Sequence, residues 1–138
     1  MSYLIDTNVV SELRKGARAS GGVTRWFAEA ADDGMYLSVL TVGELRRGID
    51  RIQRTDRASA VALNRWLLGL VEDFAERIVP VDRAVAEEWG RLNVARSLPV
   101  IDGLLAATAR VHGLTLVTRN TKDIARTAVH CVNPFDQP

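Results

Sequence analysis

Residues 3–10 read Tyr-Leu-Ile-Asp-Thr-Asn-Val-Val. The apolar run Tyr3–Ile5 stops at a carboxylate, and apolar residues return at Val9 and Val10. Aromatic and β-branched residues suit a strand. Asp, Thr and Asn are the residues that begin helices, because their side-chain oxygens accept from unpaired N–H groups of the first turn. The stretch therefore predicts a buried strand over Tyr3–Ile5 that turns at Asp6 into a helix over Thr7–Arg14, stopped near Gly16.

The same alternation continues outward. Residues 17–22 hold Gly21-Gly22 and read as a loop, followed by a helix over Val23–Ala31. "MYLSV" (Met35–Val39) predicts a strand, and Thr41–Ile52 a helix with Leu45, Ile49 and Ile52 on one stripe. Leu63, Trp66, Leu67, Leu70, Val71 and Phe74 recur at three and four, the clearest amphipathic pattern in the chain. Ile78–Val81 predicts a short strand, Arg83–Ser97 a helix, and Pro99 a break. Ile101–His112 predicts a helix ended by Gly113, Leu114–Thr118 a strand, Asn120–Ala125 a turn or short helix, and Ala128–Val132 a last strand. Strands interleaved with helices predict an α/β fold with a central, mostly parallel sheet flanked by helices.

The 138 residues suit one domain spanning 1–138. Cys131 is the sole cysteine, so no intrachain disulfide is available, which agrees with a cytoplasmic location. No leader and no apolar run of membrane length is present, so no membrane role is expected. Eighteen basic and 17 acidic residues leave a net charge of +1, so overall charge does not mark a nucleic-acid binder.

In a parallel α/β sheet the functional crevice lies beyond the carboxyl ends of the strands. Asp6, Glu44, Asp102 and Asn120 all fall just after a strand or early in a helix, with Asp123 three residues beyond Asn120. Each also fits a structural role. Asp6 or Thr7 is a helix cap, Thr41-Val42-Gly43-Glu44 matches a capping box, Asp102 suits a helix dipole, and Asn120 suits a short-helix cap. Together they suggest more. Two carboxylates about 4 Å apart repel by roughly 4 kcal/mol at an effective dielectric near 20. Three in one cleft call for protons or a cation, and all-oxygen donors suit Mg²⁺, with Mn²⁺ the alternative. Cys131, His112 and His130 lack the spacing of zinc ligands.

"LIDTNVVSEL", "LSVLTVGELRRGI", "IDGLLAATARVHGLTLVTRN" and the closing "VNPF" occur in that order along essentially the whole chain. In this it resembles the PIN-domain nucleases, and most closely the VapC-type toxins of bacterial type II toxin–antitoxin pairs. The resemblance implies a Mg²⁺-dependent endoribonuclease, with Asp6, Glu44 and Asp102 as metal-holding catalytic acids and products bearing 5′-phosphate and 3′-hydroxyl ends. Asn120 occupies the fourth catalytic position, where the family often has aspartate. Thr7, Asn8 and Thr118, with Asp123, are expected to support the acids. The resemblance also implies a homodimer and a protein antitoxin whose tail fills an apolar groove; Trp66, Leu67 and Leu70 read first as core packing, with part of such a groove or a subunit interface as the alternative.

RNA needs a cationic landing surface. Arg47 and Arg51, on a face shared with Arg54, and Arg119 beside the site are the candidates; a solvated face is the plainer account of the first group. The neutral Asn120 favours an alternative, a degenerate PIN domain that binds RNA or a protein without cleavage. A response-regulator switch wants adjacent acids near the first strand, which Asp6 lacks. A haloacid-dehalogenase phosphatase wants a second aspartate where Asn8 stands.

Overall fold

The computed structural model describes residues 1–92 and 98–136. Five strands form one sheet in the order β3-β2-β1-β4-β5. They are β1 (Ser2–Ile5), β2 (Gly34–Ser38), β3 (Ile78–Val79), β4 (Thr115–Val117) and β5 (Cys131–Val132). Every pairing is parallel, with Leu4 opposite Tyr36 on one side and Leu116 on the other. The helices between them are α1 (Thr7–Leu13), α2 (Gly21–Glu29), α3 (Val39–Gln53), α4 (Arg57–Phe74), α5 (Arg83–Leu92), α6 (Val100–His112) and α7 (Thr121–Ile124).

Both faces of the sheet are covered, and the two-residue period of the strands sorts side chains between them. Tyr3, Ile5, Met35, Leu37, Ile78, Val117 and Val132 pack with Val9, Val23, Leu45 and Leu67 of α1–α4. Their alternates Leu4, Tyr36, Val79, Leu116 and Cys131 pack with Leu105, Ala106, Ala109 and Ile124 of α6 and α7. A register slip of one residue in β1 would exchange the two cores, which fixes Asp6 at the carboxyl edge.

Several boundaries differ from the sequence reading. The 17–22 segment is a 3-10 turn (Gly16–Arg18), two linking residues Ala19 and Ser20, and then α2, with Gly21 and Gly22 already helical. The helix expected over Arg83–Ser97 is seen through Leu92, and its expected end at 93–97 lies outside the described residues. The last strand begins at Cys131, not Ala128. A 3-10 turn over Ala125–Thr127 ends with Ala128 at φ 59°, which takes the chain out of extended geometry. Gly113 stops α6 as expected, at φ 65°, a conformation that costs glycine little. Among the described residues no helix is long and apolar enough to cross a membrane.

Candidate active site

Asp6 leaves the carboxyl end of the central strand and caps α1, accepting from the Thr7 N–H at 2.6 Å. Its other oxygen accepts from the Thr118 hydroxyl at 2.7 Å, across the β1–β4 boundary, and from Asn8 Nδ2 at 3.3 Å. The residue is 7% exposed. Burial pushes its pKa above the usual carboxylate value; the Thr118 and Thr7 hydrogen bonds oppose that, and the nearby charges of Asp102 and Glu44 add to it.

From Asp6 an arc of hydrogen bonds runs both ways. On one side the Thr7 hydroxyl donates to Glu44 Oε1 at 2.6 Å, tying α1 to α3. On the other, the Thr118 hydroxyl accepts from the Asn120 N–H at 3.0 Å, and Asn120 Nδ2 donates to Asp102 Oδ2 at 3.0 Å. Asp102 lies in the first turn of α6 and is half-buried. Burial raises its pKa too, the Asn120 hydrogen bond lowers it, and Asp123 raises it further. The structure thus brings Asp6, Glu44 and Asp102 to one rim, with Thr7, Asn8, Thr118 and Asn120 interleaved among them.

Two structural expectations fail here. Glu44 is not in the first turn of its helix, because α3 begins at Val39 and is capped by Ser38, whose hydroxyl accepts from the Leu40 N–H at 3.0 Å. The Thr41–Glu44 capping box is not formed. Thr41 is buried inside the helix with no hydrogen-bond partner for its hydroxyl among the described residues, and Glu44 is free to reach Thr7. Asn120 stands at the start of α7 but makes no side-chain capping bond; its amide serves Asp102 instead.

None of the three acids takes part in an ion pair among the described residues. Nor do any three acidic, histidine or cysteine side chains there close into a compact metal cluster. The acids form an open, all-oxygen arc. That donor set fits Mg²⁺, which dehydrates reluctantly and is commonly held by one or two carboxylates while keeping waters.

The expected arginines flank the arc. Arg47 and Arg51 line a cleft of about 460 Å³ with Glu44, Val39 and Ile101. Arg54 instead ends α3, and Arg46 donates to Asn64 Oδ1 at 2.6 Å. Arg119 lies on the other side, its guanidinium carbon 3.7 Å from the centre of the Phe135 ring. A narrower cleft runs from Thr7 and Glu44 past Leu45 and Ile52 to Leu63 and Trp66. Sequence reasoning assigned no role to Asn133 or Phe135, although "VNPF" was the signal that singled them out.

The family model of the PIN domain matches residues 3–129. The chain belongs to the PIN-domain family. This PIN domain is 31% identical over 137 residues to Toxin FitB of Neisseria gonorrhoeae, covering 96% of this chain and 97% of that one. A crystal structure of FitAcB from the same organism superposes with a TM-score of 0.84 at 31% identity, covering 99% of each chain. VapC ribonuclease Y4jK of Sinorhizobium fredii is 30% identical over 138 residues, with 96% and 97% covered. A toxin–antitoxin complex from Klebsiella pneumoniae shares the fold of the PIN domain at 26% identity and a TM-score of 0.64, with 96% and 97% covered.

Proposed function

We propose that this PIN domain is a Mg²⁺-dependent endoribonuclease, the toxin of a toxin–antitoxin pair, acting in the cytoplasm on RNA phosphodiester bonds. The observation that carries the reading is the arc Glu44–Thr7–Asp6–Thr118–Asn120–Asp102, three acids held at the carboxyl edge of a parallel sheet with no basic partner among the described residues. The names of the relatives, a toxin and a ribonuclease, support it.

Asp6 and Asp102 would hold the ion, with Glu44 directly or through water; Mn²⁺ would serve the same donors. When bound, the ion supplies Lewis-acid neutralisation of the charge that builds on the phosphoryl group. The chain supplies the rest. Thr118 and the Thr7 N–H fix both oxygens of Asp6, so its rotamer is set before any ligand arrives. Asn120 presents its amide nitrogen to Asp102, which makes it an orienting group for that carboxylate and not a fourth acid. Among the described residues Glu44 is held through Oε1 alone, which leaves Oε2 to orient the attacking water and accept its proton. Arg47, Arg51 and Arg119 supply phosphate contacts on the two sides of the arc.

The protein partner is an antitoxin segment seated in the cleft between Glu44 and Trp66, where it would block the acids; a second copy of this chain completes a homodimer. The toxin–antitoxin complex that shares the fold supports the first of these.

Purified protein free of antitoxin, mixed with total RNA, should cut it with Mg²⁺ or Mn²⁺ and not with EDTA, and Asp6→Asn should abolish the cleavage. Undiminished metal-dependent cutting by Asp6→Asn would overturn the assignment. The neutral Asn120 favours a second reading, RNA binding without hydrolysis; saturable binding with no cleavage under either metal is its signature.

A further inference from the structure

We infer that Phe135 is a positioning residue that holds the Arg119 guanidinium ready for an RNA phosphate on the Asn8 and Glu12 side of the site. The inference rests on the nuclease reading above and adds a named part to that site.

Three observations carry it. First, Arg119 is locked to the site through its backbone. Its N–H donates to Asn8 Oδ1 at 3.2 Å, and the same Asn8 side chain donates to Asp6 Oδ2 at 3.3 Å. One amide therefore sets the distance between the most buried acid and the start of the Arg119 side chain. Second, the C-terminal turn grips Arg119 from the opposite side. Asn133 Nδ2 donates to the Arg119 carbonyl at 3.3 Å, while Asn133 Oδ1 accepts from the Phe135 N–H at 3.0 Å. Phe135 packs against the α1–α4 core, so the ring is anchored. Third, the guanidinium carbon sits 3.7 Å over that ring.

A cation held over an aromatic face uses the flat face of the guanidinium and leaves its in-plane N–H donors open. Among the described residues those donors make no hydrogen bond, and Arg119 is not in an ion pair. Glu12 is near enough to feel its charge, but the Glu12 carboxylate is occupied by Lys15 Nζ at 3.0 Å and the Ser20 N–H at 2.8 Å. An arginine immobilised on a ring with its fork open is prepared for bidentate contact with a phosphate oxygen pair. Phe135 thereby lowers the entropy lost when the contact forms.

The test uses the full-length protein carrying Asp6→Asn, so that RNA is bound and not cut, and a fluorescein-labelled single-stranded RNA of mixed sequence. In that background Arg119→Ala should weaken binding about tenfold and flatten the salt dependence by about one phosphate contact. Phe135→Leu should weaken it about threefold, and Phe135→Tyr should restore it. The decisive comparison is the double variant. If Phe135 acts through Arg119, Phe135→Leu adds no loss once Arg119 is alanine. With Asp6 intact, Phe135→Leu should raise KM more than it lowers kcat. Additive losses in the double variant, or a Phe135→Leu protein that binds normally, overturn the inference while leaving the nuclease reading intact. Failure of the wild-type protein either to bind or to cut this RNA with Mg²⁺ overturns both.

Discussion

The N-termini of α1 and α4 both begin with an aspartate whose side chain accepts a backbone N–H, Asp6 from Thr7 and Asp56 from Ser59. As caps they are alike. As acids they are opposites. Asp56 is exposed and held below the usual carboxylate value by the Ser59 hydroxyl and backbone N–H groups. Asp6 is buried and pushed up, with two further acids in electrostatic range. A cap needs one oxygen and solvent; the Asp6 arrangement adds desolvation and like charge, which a capping role does not require. That excess is what supports the chemical role proposed for Asp6.

The sharpest way to break the contrast is to neutralise each aspartate. Asp6→Asn should lower RNA cleavage by about a thousandfold or more, the order seen when a key charge-handling group is lost, whereas Asp56→Asn should leave it unchanged, both read from initial rates with Mg²⁺. Thr118→Val should come next. It deletes the hydroxyl bonded to Asp6 and to the Asn120 N–H while keeping the shape, and an orienting group of this kind typically contributes about tenfold or more. Because the Thr118 bond lowers the Asp6 pKa, its loss should also shift the acid limb of the pH–rate profile to higher pH.

Metal-free stability sharpens the same comparison. A carboxyl whose pKa is raised on folding contributes stability that is present below the unfolded pKa and lost as pH rises through the folded value. In EDTA, wild-type Tm should therefore gain on that of Asp6→Asn as pH is lowered from neutrality, and Mg²⁺ at neutral pH should raise Tm for wild type but not for the variant. For Asp56 the sign reverses, since a lowered pKa stabilises above the unfolded value. The smallest effect should be that of Asp56→Ala, a Tm loss of about 3 °C with normal cleavage, measured by thermal melts.

Much of this was legible in residues 3–10. The strand, the turn at Asp6 and the helix after it follow from residue types alone, and the other strands repeat the grammar. The alternation of Tyr3 and Ile5 against Leu4 foretells two covered faces only once the partners are known. The capping box was misleading because Val39 reads as the end of a strand and Thr41 as the start of a helix, yet Val39 and Leu40 form the first turn of α3, with Ser38 already its cap. The side-chain bonds that build the arc span 37 residues from Thr7 to Glu44 and 112 from Asp6 to Thr118. No local pattern encodes such pairings; strand order and register do. The Arg119–Phe135 stack was out of reach for the same reason, since it depends on where the last turn comes to rest.

The strand order carries a consequence for timing. The central strand β1 is made first, but its second neighbour, β4, is supplied only by residues 115–117, and Thr118 and Asn120 follow at once. A ribosome extends the chain N-terminus first, so Asp6, Glu44 and Asp102 are all made before the Thr118 and Asn120 side chains that tie Asp6 to Asp102. A chain of this build cannot fix the Asp6 carboxylate until β4 has docked beside β1, and any fragment ending before Thr118 lacks the hydroxyl that joins Asp6 to Asn120.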